Sequence, residues 1–194
     1  MSRVRCGLPL LLLLLGSACS RNTPTNLFER AEYLILEQRY EEAIPVLKQF
    51  LLKNPYHSGA HYYLGRCYFA PKDKFWFAIA EGEIQTALAL FLRDGKKSTI
   101  QRFSAEYFEL ICHLDIAKIR LRQAMFLTEK LGDFRAAAAL LEQATHSVEA
   151  AREVSPNSPD VQQIDQLIRD FRRSLEMPMP RPSTPPRALP GTLI

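Results

Sequence analysis

From residue 27 onward, apolar positions recur at helical spacing. Leu27, Ala31 and Leu34 fall at i, i+4 and i+7, predicting a first helix. The pattern breaks at Gln38-Arg39 and resumes with Tyr40, Ala43, Ile44, Leu47, Phe50 and Leu51, until Asn54-Pro55 stops it. Pro45 is expected in about the first turn of this second helix, where a missing N–H costs little. Phe75 to Leu92 is apolar almost throughout, but Glu81 and Glu83 in its middle make a bilayer costly, so a heavily buried helix is expected. Arg93 to Thr99 reads as a turn. From Ser104 to Lys130 neither Gly nor Pro occurs, which predicts one long helix. Ser158-Pro159-Asp160 starts a last helix with cap, proline and acid in order. Its apolar face is expected to hold Val161, Ile164, Leu167, Ile168, Phe171 and Leu175. Residues 177–194 hold six prolines and no sustained apolar pattern, predicting a disordered or polyproline tail.

Composition sharpens this to an all-α fold. Eight glycines in 194 residues are few for a β or dinucleotide-binding protein, and Ala, Leu, Glu, Gln and Arg dominate. The formal charge is +4 from 25 basic and 21 acidic residues, falling to about +2 without Arg3 and Arg5. So small and dispersed a charge argues against nucleic acid.

The first residues carry their own message. Arg3 and Arg5 precede the apolar run Leu8 to Leu15, interrupted only by Pro9, and Gly16-Ser17-Ala18 supply small residues for cleavage. The run is shorter than the roughly 17–25 residues a spanning helix needs. Leu15-Gly16-Ser17-Ala18-Cys19 resembles the lipobox of bacterial lipoproteins, with Gly16 where an aliphatic residue is usual. The resemblance implies that Cys19 is acylated and becomes the mature N-terminus. Several acyl chains would hold a soluble domain at a membrane. An ordinary signal peptide cut at the same site would instead leave Cys19 a free thiol. Ser20 after the cysteine implies, by the same resemblance, the outer membrane, with the protein facing the periplasm of the bacterial envelope. The chain thus divides into a signal peptide (1–18), a tether (19–26), a helical domain (27–176) and a Pro-rich tail (177–194).

Internal periodicity in the helical domain is marked. Tyr40-Glu41-Glu42-Ala43-Ile44, Leu47, Phe50, Leu51 and Asn54-Pro55 resemble the second helix of a tetratricopeptide repeat. Tyr62-Tyr63-Leu64-Gly65-Arg66-Cys67-Tyr68 resembles the first helix of the next repeat. A 34-residue period pairs Phe28 with Tyr62, Ala31 with Gly65 and Glu32 with Arg66. Leu131-Gly132-Asp133-Phe134-Arg135-Ala136-Ala137 resembles the inter-helix turn of a third repeat, whose second helix runs about two turns long because Pro156 comes late. The resemblance spans roughly residues 24–156 and is strongest before residue 70. It implies a short α-solenoid of about three hairpins with a C-terminal capping helix. It also implies a concave protein-binding face lined by Phe28, Glu32 and Ile35, by Tyr62, Arg66 and Phe69, and by Arg122, Phe126 and Glu129. Phe28 and Glu32 stand where chaperone-binding repeats carry Lys and Asn, so that ligand does not transfer.

Catalytic patterns are missing: no phosphate-binding glycine loop, nucleophile elbow or paired-cysteine metal spacing occurs. His57 and His61 lie four apart with no third ligand at metal spacing, so no metal is expected. His113 and His146 are isolated. Cys67 and Cys112 would either pair in an oxidising compartment or stay buried as small hydrophobes. The expected function is a non-catalytic adaptor that binds another protein or peptide and assists assembly of an outer-membrane barrel, secretin or pilus. An accessory regulator docked on a cell-wall synthase or hydrolase is the alternative. No cofactor, small-molecule substrate or nucleic acid is expected.

Overall fold

The computed structural model describes residues 26–71 and 75–176, and these form seven α-helices with no strand among them. Expectations for the signal segment, Cys19, the tether to residue 25 and the tail 177–194 lie outside the described residues. The helices are α1 (Leu27–Leu36), α2 (Tyr40–Lys53), α3 (Ser58–Phe69), α4 (Phe77–Arg93), α5 (Ala105–Phe126), α6 (Phe134–Val154) and α7 (Pro159–Glu176). Consecutive helices pack on one another, so α1/α2, α3/α4 and α5/α6 form three stacked hairpins and α7 covers the last. The described residues therefore form a short all-α solenoid.

Local chemistry sets the boundaries. Asn26 caps α1 by accepting the Glu29 N–H at 2.9 Å. Gln38 takes a left-handed φ of 60° after α1, and the Arg39 N–H returns to the Leu34 carbonyl. Pro45 is the sixth residue of α2, one turn deeper than expected. It deprives the Glu41 carbonyl of its helical donor, but both residues are exposed and water can replace it. Beyond α5 the coil widens into a π-turn, Leu127–Leu131, which Gly132 ends at a φ of 66°. Asp133 then caps α6 by accepting the Ala136 N–H.

Two cores share α5. One side of it, with Phe108, Ile111, Cys112, Ile116 and Ile119, faces a core built from α1 to α4. The other, with Leu110, Leu114, Ala117, Leu121 and Ala124, faces α6 and α7. A helix buried on two sides needs apolar residues all round, which is why its sequence shows no single stripe. The reverse holds for α4: Phe77, Ala80, Ile84, Ala87, Leu90 and Phe91 are buried, while Ile79, Gly82, Gln85, Thr86 and Leu92 face solvent. α4 is therefore one-sided rather than heavily buried. On α7, Val161, Ile164 and Ile168 are buried and Phe171 and Leu175 pack against them, but Leu167 is exposed.

Candidate functional site: the groove over α1, α3 and α5

The first helices of the three hairpins form an inner layer, linked by two polar clusters that radiate from adjacent tyrosines of α3. The Tyr63 hydroxyl donates to Glu32 of α1 at 2.9 Å and accepts from the Arg102 guanidinium. The Tyr62 hydroxyl donates to Asp115 of α5 at 3.0 Å. Asp115 also accepts from Lys118 at 3.1 Å, and the Arg66 guanidinium lies 3.9 Å away. Burial, and then the neighbouring carboxylate, pushes both phenols upward, Tyr62 strongly. They remain protonated donors, suited to locking helices together and not to abstracting protons.

The charges are layered. Asp115 is buried and Glu32 half-buried under the guanidiniums, whereas the Arg66 and Arg102 side chains are each 44% exposed. The solvent side of the groove is consequently cationic. Near the start of α1 it deepens into a cleft of about 590 Å³ lined by Phe28, Glu32, Phe50, His57, Thr99 and Arg102 among others. On the opposite side α2 and α4 are separated by an apolar cleft of about 640 Å³ that includes Pro45, Leu52 and Leu64.

The nine residues expected on a concave face have different fates. Arg66 is exposed on the groove, with its guanidinium over the Tyr62 ring and 3.9 Å from Asp115. Phe28 is half-buried against Phe50, His57 and Tyr63 and forms the cleft wall. Glu32 is engaged by Tyr63 and Arg102. Tyr62 is only 2% exposed, beneath Phe103 and Phe108, and Ile35 is likewise buried. Neither can touch a partner, which corrects that part of the expectation. Arg122 donates to the Phe69 and Pro71 carbonyls at 2.9 and 3.1 Å and lies over the Phe69 ring. It closes the C-terminal end of α3, where a cation is favoured, so it pins α3 to α5. Phe126 stacks on Phe75 at 4.3 Å, and Glu129 is exposed on the π-turn.

Asp115, Lys118 and Arg102 were not anticipated. Asp115 carried a signal, a lone acid between Leu114 and Ile116 in an apolar stretch. A buried carboxylate demands donors. Lys118 lies three positions on, but the Tyr62 partner lies 53 positions away and is not legible from spacing.

The two histidines near Pro55 have opposite tasks. His57 caps α3, its Nδ1 accepting the Ala60 N–H at 3.1 Å, and burial lowers its pKa. His61 places Nδ1 2.7 Å from Glu83 and Nε2 2.9 Å from the Pro55 carbonyl. Glu83 thus joins His61 as an acid that the sequence spacing did not reveal. Burial alone would lower the His61 pKa, but the Glu83 hydrogen bond and charge with the Pro55 carbonyl outweigh it and raise it. A raised folded-state pKa stabilises fully below the ordinary value of 6.5 and is lost as pH rises through the raised one. Glu83→Gln should therefore lower stability by about 1 kcal/mol in mild acid, and by less at alkaline pH. His57 and His113, both lowered, act in the other sense but equally in both proteins. Thermal unfolding of the two proteins across pH checks this, and a pH-independent gap would refute it.

Cys67 and Cys112 are free and buried. Burial pushes the Cys67 thiol up to about 12 and raises Cys112 well above its usual range, so both behave as small hydrophobes. Among the described residues no group of three or more His, Cys, Asp or Glu side chains gathers as for a metal. No described helix is long and apolar enough to cross a membrane. No protein-family model matches the chain, and no curated protein matches it.

Proposed function

We propose that this protein is a lipid-anchored adaptor of the bacterial envelope. Its inner groove binds a segment of another protein and catalyses no reaction. The observation that carries the reading is the layered groove: a floor of tyrosine–carboxylate pairs fixes α1, α3 and α5, and the cationic ends of Arg66, Arg102 and Lys118 reach solvent above it. A rigid surface loses little entropy on binding, and exposed arginines beside aromatic walls supply direction and area. The solenoid, with its tetratricopeptide-like repeat pattern, belongs to a class of architecture that presents such surfaces. The lipobox-like Leu15 to Cys19 supports the anchor, and assembly of a barrel, secretin or pilus is the role that an anchored adaptor of this kind suits.

The test is affinity purification from detergent-solubilised envelope, followed by binding measurements on whichever barrel, secretin or pilus component co-purifies. Arg66→Gln with Lys118→Gln should weaken that partner by about tenfold or more while circular dichroism stays unchanged. Undiminished affinity would move the binding surface elsewhere. Co-purification of cell-wall enzymes alone would overturn the assembly role.

A further inference from the structure

In a stack of antiparallel hairpins, the connections between hairpins and the start of α1 gather at one rim. Here Phe28 of α1 touches His57 with ring centres 4.5 Å apart, the Gly59 N–H donates to Thr99, and the Arg93 guanidinium lies 4.8 Å over Tyr56. Residues 26–28, 50–59 and 92–103 therefore form one edge of the molecule. That edge exposes the least covered large apolar side chain among the described residues, Leu52 at 85%, with Tyr56 at 65% and Leu92 at 45%. Interleaved with them are exposed Lys53, Arg93, Lys96 and Lys97. The acids of this edge are Glu29, Asp94 paired with Arg93, and the largely covered Glu109 paired with Lys96. Between the start of α5 and the end of α6 acids predominate, with Glu106, Glu109 and Glu153 around a cleft that also holds His113 and Lys96.

We infer that the basic, apolar half of this rim docks on an anionic lipid surface. Leu52, Tyr56 and Leu92 enter the interfacial layer while the lysines and arginines meet headgroup phosphates. The point of attachment favours lipid over a protein in this place. The described chain begins at Asn26 on the same rim, and seven residues from Cys19 reach at most about 25 Å. This part of the argument rests on the lipid-anchor reading. An acylated Cys19 would hold the rim close to the headgroups, while Arg66 and Lys118 lie further along α3 and α5, away from it.

The protein's single tryptophan, Trp76, lies at the opposite rim between α3 and α4 and serves as an internal reference. Protein extracted from membranes and carrying Tyr56→Trp would be placed in vesicles of phosphatidylcholine with or without phosphatidylglycerol, using brominated acyl chains as quenchers. The added tryptophan should be quenched about twofold in the anionic vesicles, with emission shifted to the blue, while the unsubstituted protein shows no change. Lys53→Gln with Lys97→Gln should remove the effect. Equal fractional quenching of the two proteins in every vesicle overturns the proposal, as does a rim that is shielded only when a partner protein is added. Mass analysis of the N-terminal peptide separates the two readings. An acylated Cys19 with an unquenched rim ends the docking proposal and keeps the anchor. An unmodified Cys19 with a quenched rim does the reverse.

Discussion

Arg120→Met should lower unfolding stability by about 3 kcal/mol, a fall in Tm of roughly 6–12 °C for a chain of this size. Arg120 sits on α5 where the two cores meet. Its guanidinium reaches Glu81 of α4 at 2.6 Å, the Gln143 carbonyl of α6 at 2.9 Å and the Ser147 hydroxyl at 2.8 Å. The side chains of Arg120 and Glu81 are only 16% and 17% exposed. The pair is therefore screened far less than a surface bridge, and losing one partner leaves the other charged, covered and short of a donor. Arg120→Lys keeps the charge but cannot reach three acceptors from one planar fork, so it should lose about half as much. Replacing both partners, Arg120→Met with Glu81→Leu, should recover most of the loss, because the orphaned carboxylate goes with its partner. Urea unfolding of the four proteins decides the matter. If Arg120→Met alone unfolds like the parent, apolar packing suffices to join the cores and the clamp is dispensable.

That clamp also marks the limit of what the chain discloses as a string of letters. Helix starts and stops were legible because they are local: Asn26, Ser104 and Asp133 each cap the helix that begins after them, and Pro55 and Gly132 each end the helix before them. The hairpin order was legible for the same reason, since the spacing of Tyr40, Ala43 and Leu47 repeats at Phe134, Ala137 and Leu141, and Ala43, Leu47, Ala137 and Leu141 are all buried. The groove was legible only in outline. A repeat register assigns each residue a rotation about its own hairpin, but it does not say how far the next helix extends over it. α5 is 22 residues long, and its first turns, with the Phe103 loop, cover Tyr62, a residue that register alone would place facing a partner. Ile35 fails for a related reason, lying beside Leu34 at the edge of the stripe that packs on α2. Arg122 was assigned to recognition because its position is right. What holds it is a pair of carbonyls at the end of α3, and backbone acceptors leave no mark in the side-chain pattern. Polar pairs at long separation, Tyr62 with Asp115 and Arg120 with Glu81, are set by tertiary geometry and have no local signature.

The 34-residue period pairs Gly65 with the small Ala31, and a pair of single substitutions tests the packing at this position with opposite signs. Gly65 stands at a close approach of α3 to α4. A Cβ added there would lie 2.6 Å from Ile84 Cγ1 and 2.8 Å from the Ala80 carbonyl oxygen. The isoleucine tip can rotate, but the carbonyl belongs to the α4 backbone and moves only if the helices part. Gly82, on the solvent face of α4, has nothing within 4 Å of its would-be Cβ. Both glycines have helical backbones, so alanine gains about 1 kcal/mol of helix propensity at either site. At Gly82 that gain stands alone, and Gly82→Ala should raise stability by about that amount. At Gly65 overpacking opposes it: Gly65→Ala should come out destabilised by about 1 kcal/mol, and the branched Gly65→Val by about 3 kcal/mol. Prising α3 from α4 would also shift Tyr62 and Arg66, since both ride on α3. Gly65→Val should therefore loosen the groove as well as the fold, and weaken partner binding even at temperatures where the chain stays folded. Calorimetry on the three variants gives the test. Stabilisation by Gly65→Ala equal to that of Gly82→Ala would mean that the hairpin has slack at this crossing and that the small residue is not what sets the helix spacing.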